Sequence, residues 1–252
     1  MKNRIEKAVL VFLLLSQISI LGQKNITHQK LFWIGYYPTL VFNKNWSLKN
    51  EIQERVFLKP FQQHQLLFRS DLERKIVEHW SGFAGFTFFL QSPNNPYAEN
   101  KLIVPELRPN IGIQNNQNYA FFSVSHRFKL EGRFFAIVEE NRLTNDYVFS
   151  NLRMRYQLGI DVPLYKKEQS EKIILKVKDE VLFNIGSKIV KNTFDQNRIY
   201  LGLQTVVNSN VAVEFGYLNW FQQQANGIDF YNRDILRLSL FHKIDFKNKT
   251  NE

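Results

Sequence analysis

From residue 31 onward, polar and apolar side chains alternate along the chain in segments of roughly 10–15 residues. The clearest runs from Tyr147 to Val162. Asn151, Arg153, Arg155 and Gln157 fall on one face, and Leu152, Met154, Tyr156, Leu158 and Ile160 on the other. Side chains alternate across a strand, so this is a strand with one polar and one apolar face. Segment 194–207 repeats the pattern, with Gln196, Arg198, Tyr200 and Gln204 opposite Ile199, Leu201 and Leu203. In 210–223, Glu214 and Gly216 oppose Val211, Val213, Phe215 and Tyr217. In the last segment Arg233, Arg237, Ser239 and Lys243 oppose Leu236, Leu238, Leu240, Ile244 and Phe246. No stretch holds a helical period for long, and no phosphate-binding or dinucleotide loop appears.

Eleven segments read this way: 31–42, 46–58, 64–77, 80–91, 101–113, 119–135, 147–162, 172–184, 194–207, 210–223 and 231–246. Some apolar faces are interrupted, by Asn50 and Glu54 in the second, Arg74 in the third and Asp179 in the eighth. These are expected at a membrane edge or at a slip in the register. Connectors are short after the first, third, fifth and ninth segments. They are longer at 92–100, 136–146, 185–193 and 224–230. That rhythm predicts a barrel with tight turns at one rim and loops at the other. An even strand number is usual in bacterial membrane barrels. The expectation is therefore 12 antiparallel strands, with the twelfth hidden in 136–142 or 24–30, and 10 as the fallback.

A soluble barrel also alternates, but it turns its apolar face inward. Three features predict the opposite polarity. The segments are longer than soluble strands of about five or six residues. The polar faces carry charges of both signs. Aromatics gather near segment ends (Phe32 and Trp33, Trp46, Trp80, Tyr119, Phe134 and Phe135, Tyr147 and Phe149, Trp220 and Phe221, Tyr231), as interfacial belts require. The fold class expected is thus all-β, a transmembrane antiparallel barrel with a polar charged lumen and a lipid-facing apolar exterior. Closure leaves no unpaired backbone edge in hydrocarbon.

The N-terminus fits export. Lys2, Arg4 and Lys7 precede an apolar run from Ala8 to Leu15, which continues weakly through Ile18, Ile20 and Leu21. Residues 1–22 are expected to be a signal peptide and 23–252 a single barrel domain. Loss of that segment removes three basic residues and one acidic one, taking the net charge from +10 to +8. The remaining charges are spread along the chain, which favours an anionic lipid layer over nucleic acid as neighbour. With Cys 0, disulfides, thiolate nucleophiles and cysteine metal sites are excluded.

On the parity of each segment, the lumen-lining candidates are the carboxylates Glu51, Asp71, Glu73, Glu106, Glu131, Glu180 and Glu214. With them come the cations Arg55, Arg69, Arg108, Arg127, Arg133, Arg153, Arg155, Arg198 and Arg237. Asp161 and Lys178 share the parity. Guanidinium groups pair with carboxylates in bidentate fashion, so a salt-bridge lattice is expected instead of a metal site, and no cofactor. A lumen of 10–12 strands filled by long side chains is expected to be constricted, which excludes a general porin. The basic surplus leaves a narrow pathway for small polar or anionic solutes open. For hydrolytic chemistry, Ser123, Ser125 and His126 are the tempting cluster, but Ser125 and His126 point to opposite faces.

Specific strings then carry a resemblance. They are His126-Arg127-Phe128-Lys129-Leu130-Glu131-Gly132-Arg133-Phe134, Asn151-Leu152-Arg153-Met154-Arg155-Tyr156-Gln157-Leu158 and Lys178-Asp179-Glu180-Val181-Leu182-Phe183-Asn184. To these add Phe194-Asp195-Gln196-Asn197-Arg198-Ile199-Tyr200-Leu201-Gly202 and Glu214-Phe215-Gly216-Tyr217-Leu218-Asn219-Trp220-Phe221-Gln222. Together they resemble the Gram-negative outer-membrane barrel family catalogued as "domain of unknown function 2490". The chain departs from it at Gly132, where a larger polar residue is common, and at Trp220, where Gln is frequent. Phe246 near the C-terminus resembles the aromatic assembly signal of such barrels. The resemblance implies residence in the outer membrane, with outer-membrane lipid and the barrel-assembly machinery as partners, and implies no chemistry. The function expected is a structural or narrow-solute barrel with an ion-paired lumen. The alternatives are an outer-membrane lipid-modifying enzyme (an acyl hydrolase) and a soluble periplasmic lipid-binding barrel.

Overall fold

A computed structural model describes residues 24–167, 170–186, 189 and 193–246. The expected signal peptide, residues 1–22, lies outside the described residues. The described residues form eleven strands and no helix: β1 (Ile26–Val41), β2 (Trp46–Leu58), β3 (Phe61–Val77), β4 (Trp80–Gln91), β5 (Val104–Asn118), β6 (Ser123–Glu139), β7 (Arg142–Lys167), β8 (Ser170–Ile185), β9 (Phe194–Val206), β10 (Val211–Gln223) and β11 (Phe230–Asp245). Each pairs with its sequence neighbours, and β1 pairs with β11 to close the barrel.

The strand count corrects both expected numbers. Among the described residues it is eleven, neither 12 nor 10. The stretches reserved for a twelfth strand extend existing ones: 26–30 begins β1, and 136–139 ends β6. With an odd number of strands the first and last run in the same direction. The seam is accordingly parallel, in register from Ile26↔Phe230 to Val41↔Asp245. Parallel ladders are only slightly weaker per residue than antiparallel ones, and this one is sixteen pairs long.

The expected long connector at 136–146 is also replaced. Glu139 pairs with Arg142, and Glu140 and Asn141 make the turn with φ of 46° and 64°. Two left-handed residues match the twist of a two-residue hairpin. Elsewhere asparagines set the turns. Asn43 Oδ1 accepts from the amides of Asn45 and Trp46 at 2.9 and 3.0 Å. Asn208 Oδ1 accepts from those of Asn210 and Val211, both at 2.9 Å. One rim carries the short turns β1–β2, β3–β4, β5–β6 and β9–β10 and the end of β11. The other carries the start of β1 and the longer connections 92–103 and 224–229. They are called the turn rim and the loop rim below.

Alternation fixes the polarity of the wall. Arg153 is 3% exposed between Leu152 at 37% and Met154 at 45%. Tyr200, at 2%, is followed by Leu201 at 52%, and Leu203 is at 49%. Charged groups are therefore inside and aliphatic ones outside. The interruptions of the outer face were no slip of register. Their side chains point outward and bond sideways to polar neighbours. Asn50 Oδ1 accepts from the Ser70 hydroxyl at 2.8 Å, Glu54 from Gln63 at 3.2 Å and Asp179 from Asn197 at 2.6 Å. Arg74 lies over the Trp46 ring.

Trp33 and Trp220 correct a further expectation. Their place near segment ends predicts an interfacial belt. Instead they are buried within the barrel, in a cluster with Leu31, Phe57, Tyr200, Leu218 and Ile235. Their parity places them inward, and near the loop rim the interior has become apolar enough to hold them.

Candidate functional site

The interior is built in tiers. Nearest the loop rim, the buried carboxylate of Glu106 on β5 is held by two arginines. Arg108 Nε and Nη2 donate to its two oxygens at 2.6 Å each. Arg133 on β6 donates to the same oxygens at 2.5 and 3.2 Å. Gln91 adds a further hydrogen bond to Glu106. The Arg108 guanidinium lies flat on Phe89, 3.8 Å from its centroid. Arg153 on β7 pairs with Asp195 at the start of β9 at 3.1 Å.

In the middle tier, Arg155 bridges Glu131 at 2.9 Å and Glu180 at 2.7 Å, and Arg198 reaches Glu180 at 3.3 Å. Asp71 on β3 collects Arg127 at 3.2 Å and Lys129 at 3.5 Å, both from β6. Because β4 and β5 lie between β3 and β6, this contact reaches across the lumen. Arg69 pairs with Glu51, and Lys49 with Glu73 at 2.7 Å. Two candidates have partners of other kinds. Glu214 accepts from the Tyr200 hydroxyl at 2.7 Å. Arg237 donates to Tyr37 Oη at 2.8 Å and Ser239 Oγ at 3.1 Å. Arg55 is buried with no carboxylate. It donates to Gln53 at 2.6 Å and Gln65 at 2.7 Å and stacks on Trp33 at 3.9 Å. All sixteen candidate residues thus project inward and are buried or half-buried. The lattice satisfies charges that would be costly to desolvate alone.

Parity alone does not identify the aromatic cluster toward the loop rim. Trp33 and Trp220 meet edge to face with centroids 5.7 Å apart. His64 lies between Phe57, at 4.7 Å, and Trp220, at 5.9 Å. Arg233, fully buried, covers the Trp220 ring at 4.4 Å. Asn94, from the β4–β5 connection, stands over this plug. Its Oδ1 accepts from Arg233 Nη2 at 3.0 Å and is 3.4 Å from His64 Nε2. Its carbonyl accepts from Gln29 at 2.8 Å. Trp220 is one of the two positions at which the chain departs from the pattern of the family that its strings resemble. Lys129, Arg233 and Tyr200 were on the polar faces, and only the assembled barrel shows that they contact the rest.

On the turn-rim side of Trp33 the packing opens into a chamber of about 480 Å³. Trp33, Arg55, Arg198 and Leu218 line its inner end, and Tyr37, Glu51, Lys178, Thr39, Lys49 and Lys176 line it toward the turn rim. Lys and Arg outnumber Asp and Glu in its lining nine to four. The Tyr200 ring lies flat against the wall because Gly202 and Gly216 leave room. A Cβ there would come within 2.3 and 2.5 Å of the phenol oxygen.

On the outer wall, His126 Nδ1 is 2.9 Å from the Tyr156 hydroxyl, and the rings stack. Ser125 packs inward over Gly159. The tempting Ser–His pair is thus divided between the two faces.

The fold and interior define a closed β-barrel with its charges inside and its apolar side chains outside. The chain belongs to the family described as "Protein of unknown function (DUF2490)", which matches residues 31–232, as its strand strings suggested. No curated protein and no solved structure matches the chain.

Proposed function

We propose that the chain is an exported outer-membrane barrel that does not conduct, in which buried ion pairs fix the wall and the lumen is a chamber with one mouth. The observation that carries this reading is the exterior. Aliphatic and aromatic side chains such as Ile34, Phe86, Ile111, Phe128, Met154, Leu203 and Phe215, on strands all round the barrel, are each more than a third exposed. A soluble monomer rarely exposes an apolar patch beyond about 300–600 Å². A continuous band suits acyl chains. A lipid carrier in water would need the reverse, an apolar interior.

Short turns in such barrels face the periplasm, so the chamber opens there and the aromatic plug faces outward. Heat-modifiable migration of the folded protein and planar-bilayer recording test the reading together. The expected result is a compact band that shifts on boiling, with no steady current. A folded protein that stays in the aqueous phase without detergent, or one that conducts steadily, overturns it.

A further inference from the structure

We propose that the turn-rim chamber is a binding site for an oxyanion, specifically a small phosphate-bearing solute that enters from the turn side. This deepens the sealed-barrel reading by giving its chamber a ligand class, and it rests on that reading for the side of entry.

The argument is an account of donors and acceptors. Among the described residues, three chamber cations have no carboxylate within ion-pair distance: Arg55, Lys178 and Arg237. The carboxylates in the lining are already committed. Glu51 is held by Arg69, Glu73 by Lys49, Asp71 by Arg127 and Lys129, and Glu180 by Arg155 and Arg198. Glu214 lies behind Tyr200, 1% exposed, with one oxygen taken by the phenol.

Tyr37 adds an independent observation. Its oxygen accepts from Gln53 Nε2 at 2.6 Å and from Arg237 Nη2 at 2.8 Å. The Gln53 amide is fixed in that orientation because its Oε1 already accepts from Arg55 Nε at 2.6 Å. A phenol has two lone pairs and one O–H. Both lone pairs are used, and the O–H has no acceptor among the described residues. Lys178 makes no hydrogen bond there either, and its Nζ lies 5.5 Å from the Tyr200 centroid, as Arg237 does at 5.3 Å. Arg237 Nη1 and Arg55 Nη2 make no hydrogen bond to the described residues either.

The unspent polar atoms of Tyr37, Arg55, Lys178 and Arg237 are therefore all donors, and three of these four residues carry positive charge; behind them one oxygen of Glu214, buried under Tyr200, is an acceptor without a hydrogen bond. A surplus of cationic donors converging on a partly enclosed chamber favours an anion. Donors from β1, β2, β8 and β11 suit a tetrahedral oxyanion with several oxygens better than a carboxylate with two. The size also fits, since small-molecule pockets run from about 300 to 1,000 Å³. The wall has no open edge to admit an acyl chain, which favours a solute over a lipid headgroup.

Calorimetric titration of the detergent-folded full chain with inorganic pyrophosphate tests this. Short-chain phosphatidic acid and glucose serve as comparison ligands. Saturable pyrophosphate binding is expected, weakened about tenfold by Arg237→Gln and by Lys178→Gln. Tyr37→Phe should weaken it less, and Lys101→Gln at the loop rim should leave it unchanged. Four outcomes overturn the proposal: no pyrophosphate binding by a folded, non-conducting barrel; binding indifferent to the three chamber variants; glucose bound as well as pyrophosphate; or phosphatidic acid preferred. Current across a bilayer would instead count against the sealed barrel, so the two failures are told apart.

Discussion

Trp220 on β10 meets Trp33 on β1 edge to face inside the barrel, with ring centroids 5.7 Å apart, and each indole carries an arginine on its face: Arg233 on Trp220 and Arg55 on Trp33. Trp33 also lines the inner end of the cationic chamber, and in the sealed-barrel reading the two rings together close the loop rim. Replacing both by Ala is expected to give a folded but leaky barrel. Each truncation should lower stability by about 3–5 kcal/mol, read by urea unfolding in detergent. Single-channel steps absent from the unaltered protein should appear in a bilayer. A double variant that unfolds at the normal urea concentration and passes no current would show that the rings do not seal the lumen.

Glu106 accepts from two arginines at once, so its loss leaves two buried guanidinium groups facing each other. Glu106→Leu should destabilise the barrel by about 3–5 kcal/mol. Glu73→Leu, whose partner Lys49 has a side chain 44% exposed, should have an effect below about 1 kcal/mol. Equal effects for the two would mean that burial does not set the worth of these pairs.

Tyr200 depends on two glycines. Gly216→Ala would place a methyl 2.5 Å from its oxygen and 2.6 Å from the Leu201 carbonyl. A loss of about 1–3 kcal/mol is expected from overpacking. In a Tyr200→Ser background the same change should cost clearly less, because much of the clash is with the ring. A double-mutant cycle measures this coupling. Additive effects would place the strain wholly at the backbone.

Much of the barrel was legible because a period of two is visible wherever one face is wet and the other apolar. All eleven segments became strands, and parity placed the charged candidates inside. What failed had local causes. The β6–β7 turn lacks the Asn-Gly or Asp-Gly signal and is made by Glu140 and Asn141, so a hairpin read as a loop. An even strand number, usual in bacterial membrane barrels, does not hold here, and the eleven alternating segments correspond one to one with the eleven described strands. Trp33 and Trp220 lie near strand ends, where aromatics also serve interfaces, and only cross-barrel packing distinguishes plug from belt. The Asp71–Lys129 contact joins strands separated by two others, which alternation along one strand does not reveal.

An odd strand number puts the two ends of the barrel on opposite rims, the start of β1 with the loops and the end of β11 with the turns. Epitope tags placed before residue 24 and after residue 246 should be accessible from opposite sides of a sealed proteoliposome with uniformly oriented protein. Accessibility of both from one side would mean that the β1–β11 seam is not formed as described.

The central claim is that the outer wall faces lipid, and the absence of native cysteine makes it directly measurable. Single cysteines at Met154, Leu201 and Leu203 would each carry a spin label in the reconstituted barrel, and power saturation would compare collisions with oxygen and with a water-soluble nickel chelate. The account predicts oxygen in large excess at all three positions, since oxygen concentrates among acyl chains. Collisions with the nickel chelate equal to or above those with oxygen would put these side chains in water and contradict the account.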